Sequence, residues 1–238
     1  MATILLNGVA TDASSLSPTD NADKLTVRGS EDGLTVNLAG GDDLLEIYAA
    51  SEKLVNVELR LGTGNDEIQV RAEDGTLFNN VNEADDFVGL PMTLSGLVTG
   101  GQGDDEIDLG DGLVTLTGTV KGNEGEDTID IARVDGGTVQ GLQDDDNINI
   151  GFSGFTFGEA GSQAEVSLKG ASINGSKGDD TIDVSGDAVL TDSSIRGNEG
   201  DDTIVIADGA TAAGSVSIEG NAGDDTIDAA DLAGIATI

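Results

Sequence analysis

The feature that most constrains this chain is a repeated phrase, clearest at residues 197–206, which read GNEGDDTIVI. Variants start at Gly62 (GTGNDEIQV), Gly101 (GQGDDEIDL), Gly122 (GNEGEDTIDI), Gly141 (GLQDDDNINI), Gly175 (GSKGDDTIDV) and Gly220 (GNAGDDTIDA). A degenerate copy, AGGDDLLEIY, starts at Ala39, and a poorer one, DKLTV, at Asp23. Each copy is a glycine-rich acidic turn followed by a short alternating strand.

The second Asp of each turn serves as a ruler: Asp43, Asp66, Asp86, Asp105, Asp127, Asp146, Asp180, Asp202 and Asp225, with Asp23 a weaker first member. The intervals are 20, 23, 20, 19, 22, 19, 34, 22 and 23 residues. Self-similarity at this period marks a solenoid, in which each repeat buries its apolar face against its neighbours. The expected fold is therefore all-β: a single parallel β-solenoid (β-helix or β-roll), with about 19–23 residues per rung and roughly nine or ten rungs. Stacked at ~4.8 Å, these make a rod of roughly 45 Å. Residues 114–121 (VTLTGTVK) carry two apolar pulses before their acidic turn, which suggests three sides. Other rungs show one pulse, so cross-section and handedness stay open.

Strand alternation assigns an inward set. It comprises Leu45 and Ile47, Ile68 and Val70, Ile107 and Leu109, Ile129 and Ile131, Ile148 and Ile150, Ile182 and Val184, Ile204 and Ile206, and Ile227 and Ala229. Between the members of each pair runs an outward column: Glu46, Gln69, Asp108, Asp130, Asn149, Asp183, Val205 and Asp228.

Three places depart from the repeat. Residues 1–35 form an N-terminal strand and cap, ahead of a solenoid over 36–228. Residues 71–92 are expected to carry a rung on the glycine-free turn Glu83-Ala84-Asp85-Asp86. The 34-residue interval contains Phe152, Phe155 and Phe157, and 151–165 is either an inserted loop or a rung that lost its turn. That segment either packs on the rod or contacts a partner, because insertions in solenoids often supply the binding face. Residues 229–238 (AADLAGIATI) lose the turn grammar. They read as a C-terminal cap or as an assembly segment through which rods stack.

Composition narrows the function. The chain has 46 acidic and 10 basic residues, a formal charge of −36, which repels nucleic acid and anionic membrane. It contains no His, Cys or Trp, so thiolate metal sites and histidine catalysis are excluded. The paired carboxylates recur in nearly every rung, which makes them structural rather than a glycosidase pair. No stretch approaches the roughly 18 apolar residues of a membrane span. The first residues, MATILLNGVATDASS, lack the basic and apolar regions of a signal peptide.

The turns point to a cation. Calcium takes six to eight oxygens from carboxylates, main-chain carbonyls and water. Glycines permit the left-handed backbone that turns carbonyls toward an ion. A stacked Asp column repels itself and raises its own pKa values unless cations lie between the turns. The alternative is that Asp and Asn cap these turns by bonding backbone amides.

The turns also resemble the nonapeptide of RTX proteins, Gly-Gly-x-Gly-x-Asp-x-apolar-x. Gly197, Gly200, Asp202 and Ile204 fall on its first, fourth, sixth and eighth positions, with Asn198 in place of the second glycine. Gly122, Gly125, Asp127 and Ile129 match likewise, as do Gly175, Gly178, Asp180 and Ile182, and Gly220, Gly223, Asp225 and Ile227. The resemblance implies a parallel β-roll binding Ca²⁺ between neighbouring turns, with that role carried over to Asp127, Asp146, Asp180, Asp202 and Asp225. The related turns add Asp66 and Asp105. The family runs two such turns per rung and this chain has one, so a single row of ions is implied.

These readings converge on a non-enzymatic structural building block of an extracellular or virion surface assembly, stabilised by calcium. Its expected partners are copies of itself or a scaffold or capsid protein, with no nucleic acid and no membrane insertion. The expected location is a virion, the extracellular space or the cell surface. The competing expectation is a type I-secreted RTX-like adhesin or surface-binding module.

Overall fold

The computed structural model describes residues 3–6, 9–11, 18–28, 31–49, 53–72, 92–109, 114–131, 133–151, 166–229 and 232–237. They form a parallel β-solenoid of three-sided coils. In the coil that carries Asp127, for example, the first side is Val114–Leu116, the second Thr119–Glu124 and the third Thr128–Ile131. The next coil repeats this with Arg133–Asp135, Thr138–Leu142 and Asn147–Ile150. Two apolar pulses before each acidic turn thus correspond to the first two sides.

Third sides stack in register. Thr181–Val184 pairs with Thr203–Ile206, Ile182 opposite Ile204 and Val184 opposite Ile206. First and second sides belong to one continuous sheet, because Lys53–Thr63, Met92–Gln102 and Thr211–Ala222 run through the corner between them. At the N-terminal end, Thr3–Leu6 pairs antiparallel with both Val9–Thr11 and Lys24–Arg28. This hairpin ends the parallel stack, which Lys24–Arg28 opens by pairing with Leu44–Ala49. At the other end, Ala233–Thr237 lies parallel to Thr211–Ala222, following its first side and, after a register shift, the start of its second.

The core is a set of aliphatic columns inside the coils. Val120, Val139, Ile173, Ile195 and Ile218 line the second side; Leu116, Val134, Leu168 and Leu190 line the first. The third side supplies the inward set read from alternation, all of it buried except Ile227, which is partly covered. Full burial of one such side chain is worth roughly 1.5–3 kcal/mol, and similar side chains stack with little waste of volume. The outward column on the third side is half-buried over most of its length, and Glu46 is covered almost completely. Glu46 lies 2.9 Å from the Lys24 ammonium of the preceding coil.

The rung expected at Asp86 is not in the stack. Glu67–Ala72 pairs directly with Glu106–Asp108, setting Ile68 opposite Ile107. Residues 73–91, which include Asp86, lie outside the described residues. The expected turn rests on spacing alone, without the glycines that most of the stacked corners carry two residues before their Asp. Asn147–Ile150 likewise pairs directly with Thr181–Val184. The long interval is therefore one coil plus an inserted segment, of which 152–165 lie outside the described residues. Among the described residues the third sides from Leu44–Ala49 to Thr226–Asp228 make eight strands and about seven turns of the solenoid, with Lys24–Arg28 stacked parallel ahead of them, so the rung count falls at or just below the low end of the nine or ten expected.

Candidate functional site

The acidic turns form one corner of the rod, between second and third sides. Its backbone is set by two left-handed positions in every complete copy. Four residues before the buried Asp stand Gly62, Gly101, Asn123, Leu142, Ser176, Asn198 and Asn221, all at positive φ. Two residues before it stand Gly41, Gly64, Gly103, Gly125, Asp144, Gly178, Gly200 and Gly223, also at positive φ. The second set sits directly on the coil below: a Cβ on Gly200 would lie 1.8 Å from the Gly178 carbonyl oxygen.

The predicted site residues come together, but inside the corner rather than on its surface. Asp66, Asp105, Asp127, Asp146, Asp180 and Asp202 are all buried, at 1–2% exposure, and Asp43 and Asp23 join them. Asp225, in the last complete coil, is half-buried. They form a continuous ladder. The amide of each donates to Oδ1 of the Asp one coil further on, from Asp23 to Asp43 at 2.7 Å through to Asp202 to Asp225 at 3.0 Å. Each main-chain carbonyl accepts in turn from the strand above, as Asp180 does from the Thr203 amide at 2.8 Å. Amide capping is therefore real, although it runs between coils and not within a turn.

The second oxygen is the notable atom. Oδ2 of Asp43, Asp66, Asp105, Asp127, Asp146, Asp180 and Asp202 is buried without a hydrogen-bond partner. In the regular coils it rests on the first glycine of its own turn: a Cβ on Gly197 would lie 1.9 Å from Oδ2 of Asp202, and one on Gly122 1.9 Å from Oδ2 of Asp127. The first glycine of the motif is thus there to admit the carboxyl group.

These carboxyls are held well above the ordinary value of 3.8. Burial pushes Asp105 and Asp146 up to about 8, Asp127 and Asp180 to about 7, and Asp43 and Asp202 to about 6. The amide hydrogen bond on Oδ1 pulls each of them back, and neighbouring aspartates add a smaller upward push. Asp66 is raised for the same leading reason. Mutual repulsion, the cause expected from the sequence, ranks below desolvation.

A second ladder flanks the first. The residue before each buried Asp is exposed and bonds in the opposite direction. The amides of Asn65, Asp104 and Glu126 donate to Oδ1 of Asp42, Asn65 and Asp104, one coil back. Those of Asp179, Asp201 and Asp224 do the same to Asp145, Asp179 and Asp201. The one break falls at Glu126, whose longer side chain makes no bond to the Asp145 amide. There the Gly125 amide donates instead to Oδ2 of Asp144. Sequence reasoning missed this function for the first Asp of the pair. The signal was available, since the position is Asp or Asn in all these coils but one.

Fold and site define a class: a three-sided parallel β-solenoid with a buried aspartate ladder along one corner. Compared with protein-family models, curated proteins and solved structures, the chain finds no match.

Proposed function

We propose that this chain is a non-enzymatic structural building block, a stiff acidic rod in an extracellular or virion surface assembly, and that calcium neutralises its aspartate column. The observation that carries this reading is the row of buried carboxyl oxygens left without partners. Isolated ionised carboxylates are not tolerated in such surroundings, so positive charge or protons must compensate them. An orphaned oxygen in seven successive coils, from Asp43 to Asp202, at the position where RTX-like turns place their calcium ligand, fits a row of cations.

The residues that would hold the ions are Asp66, Asp105, Asp127, Asp146, Asp180, Asp202 and Asp225, with Asp43 added by its burial and its free oxygen. Among the described residues no three acidic side chains converge on one point. Ions would therefore draw on carboxylates of successive coils, with main-chain carbonyls or water completing the shell. Bound calcium would supply the countercharge and tie neighbouring coils together.

Rigidity supports the structural role: two sheets run along the rod, one of them covering two of its sides, and both acidic ladders staple adjacent coils. The partners that suit this role are further copies of the chain or a scaffold or capsid protein. The 152–165 insertion, a proposed contact, leaves the rod after Gly151 and returns at Val166, at the corner between third and first sides. Light scattering of purified protein, with calcium and after chelation, tests the reading together with metal analysis. Calcium that copurifies, and particles larger than a monomer with calcium or with the native scaffold, are the expected results. A chain that carries no calcium and stays monomeric with every component of its native assembly contradicts it.

A further inference from the structure

We infer that Thr19 is a built-in terminator of the aspartate column, so that Asp23 belongs to the ladder but binds no cation. The inference rests on the calcium reading of the column and concerns where the row begins. Asp23 shares the burial and the stacking of the later members: it is 6% exposed, and its amide donates to Oδ1 of Asp43 at 2.7 Å. Its carbonyl accepts from the Leu44 amide at 2.9 Å, as in every later coil. What differs is Oδ2.

In Asp43 and the six buried members that follow, that oxygen has no partner. In Asp23 it is occupied. The Thr19 amide donates to it at 2.6 Å, and the Thr19 hydroxyl lies 3.3 Å away. The loop that delivers Thr19 is itself tied: the Asn21 amide donates to the Thr19 hydroxyl at 3.2 Å. Two neutral donors thus sit where a cation sits in the later coils. A carboxylate that accepts such bonds is stabilised in its charged form without a metal.

The same end of the rod is closed in a second way. The hairpin of Thr3–Leu6 and Val9–Thr11 lies antiparallel on Lys24–Arg28, so the parallel register stops at the coil where the free oxygen stops. The backbone pattern that would place another acidic turn below Asp23 is absent among the described residues. Sheet and ladder therefore terminate at one level, and Thr19 performs in the ladder what the hairpin performs in the sheet.

Calcium per chain decides the matter, measured by elemental analysis after exhaustive dialysis against calcium-poor buffer, with circular dichroism to confirm the fold. Asp23→Asn is expected to hold as much calcium as the unsubstituted chain, whereas Asp127→Asn holds less. A drop for Asp23→Asn as large as that for Asp127→Asn overturns the inference and leaves the calcium reading intact. No calcium in any of the proteins overturns both. Should Asp23→Asn fail to fold, Thr19→Pro removes both donors and frees the Asp23 oxygen. It is then expected to gain about one ion per chain, and no gain contradicts the inference.

Discussion

Asp201 and Asp202 are neighbours in the chain and hydrogen-bond in opposite directions along the rod. The Asp201 amide donates to Oδ1 of Asp179, one coil back, and the Asp202 amide to Oδ1 of Asp225, one coil on. The acidic pair is thus a two-way staple, exposed on one residue and buried on the next. Removing the buried half should leave an amide inside the corner with no acceptor. For Asp127→Ala that amide belongs to Asp105, and the expected loss is about 1–3 kcal/mol in urea unfolding. Asp201→Ala, on the exposed side, should cost well under half as much.

The break in the exposed ladder offers a gain. Glu126 is too long to complete the step to Asp145, whereas Asp at that position matches its neighbours. Glu126→Asp should therefore stabilise the chain by about 0.5–1 kcal/mol, seen as a higher urea midpoint with an unchanged slope. A lower midpoint would mean that the Asp144 bond to Gly125 already does this work better.

Glycine substitutions should fall in a definite order. At Gly186 a Cβ meets nothing within 4 Å, so only the φ of 69° resists alanine, at a cost of about 1 kcal/mol. At Gly197 the Cβ would strike Oδ2 of Asp202, a side-chain atom that can shift. At Gly200 it would strike the Gly178 carbonyl at φ 134°, where two coils would have to separate. Melting temperatures are expected to fall from Gly186→Ala to Gly197→Ala to Gly200→Ala.

Protons report on the same column when calcium is removed. The buried carboxyls have folded-state pKa values raised above the unfolded 3.8, to about 6 for Asp43 and Asp202 and about 8 for Asp105 and Asp146. A raised carboxyl binds its proton more tightly when folded. Its contribution is therefore fully present below pH ~4 and is lost as pH rises through ~6–8. Chelated protein should lose stability across that window, in the direction opposite to ordinary acid denaturation. Urea midpoints at successive pH values check this. A chelated protein that gains stability from pH 6 to 8 would rule out a buried, uncompensated column.

Much of this architecture was legible in the sequence because it repeats. Alternation around Ile182, Ile204 and their equivalents marks the inner face, since a strand has only two faces to choose from. The three-sided coil was half-visible in the paired apolar pulses of 114–121. Two things escaped. The rung placed at Asp86 rested on spacing alone, whereas Ile68 pairs directly with Ile107 and leaves no third side between them. The direction of the aspartates escaped for a different reason. An acidic residue in a turn is normally solvated, and only the missing Cβ of Gly122 or Gly197, five residues upstream, makes a pocket that admits the carboxyl group.

The most direct test of the central claim is thermal unfolding of the whole chain at a pH above the raised carboxyl values, about 8.5, with calcium and with chelator. At this pH protons cannot neutralise the column. A clear rise in melting temperature with calcium, lost on chelation and absent with magnesium, is the expected result. Identical melting curves with calcium and with chelator would contradict it.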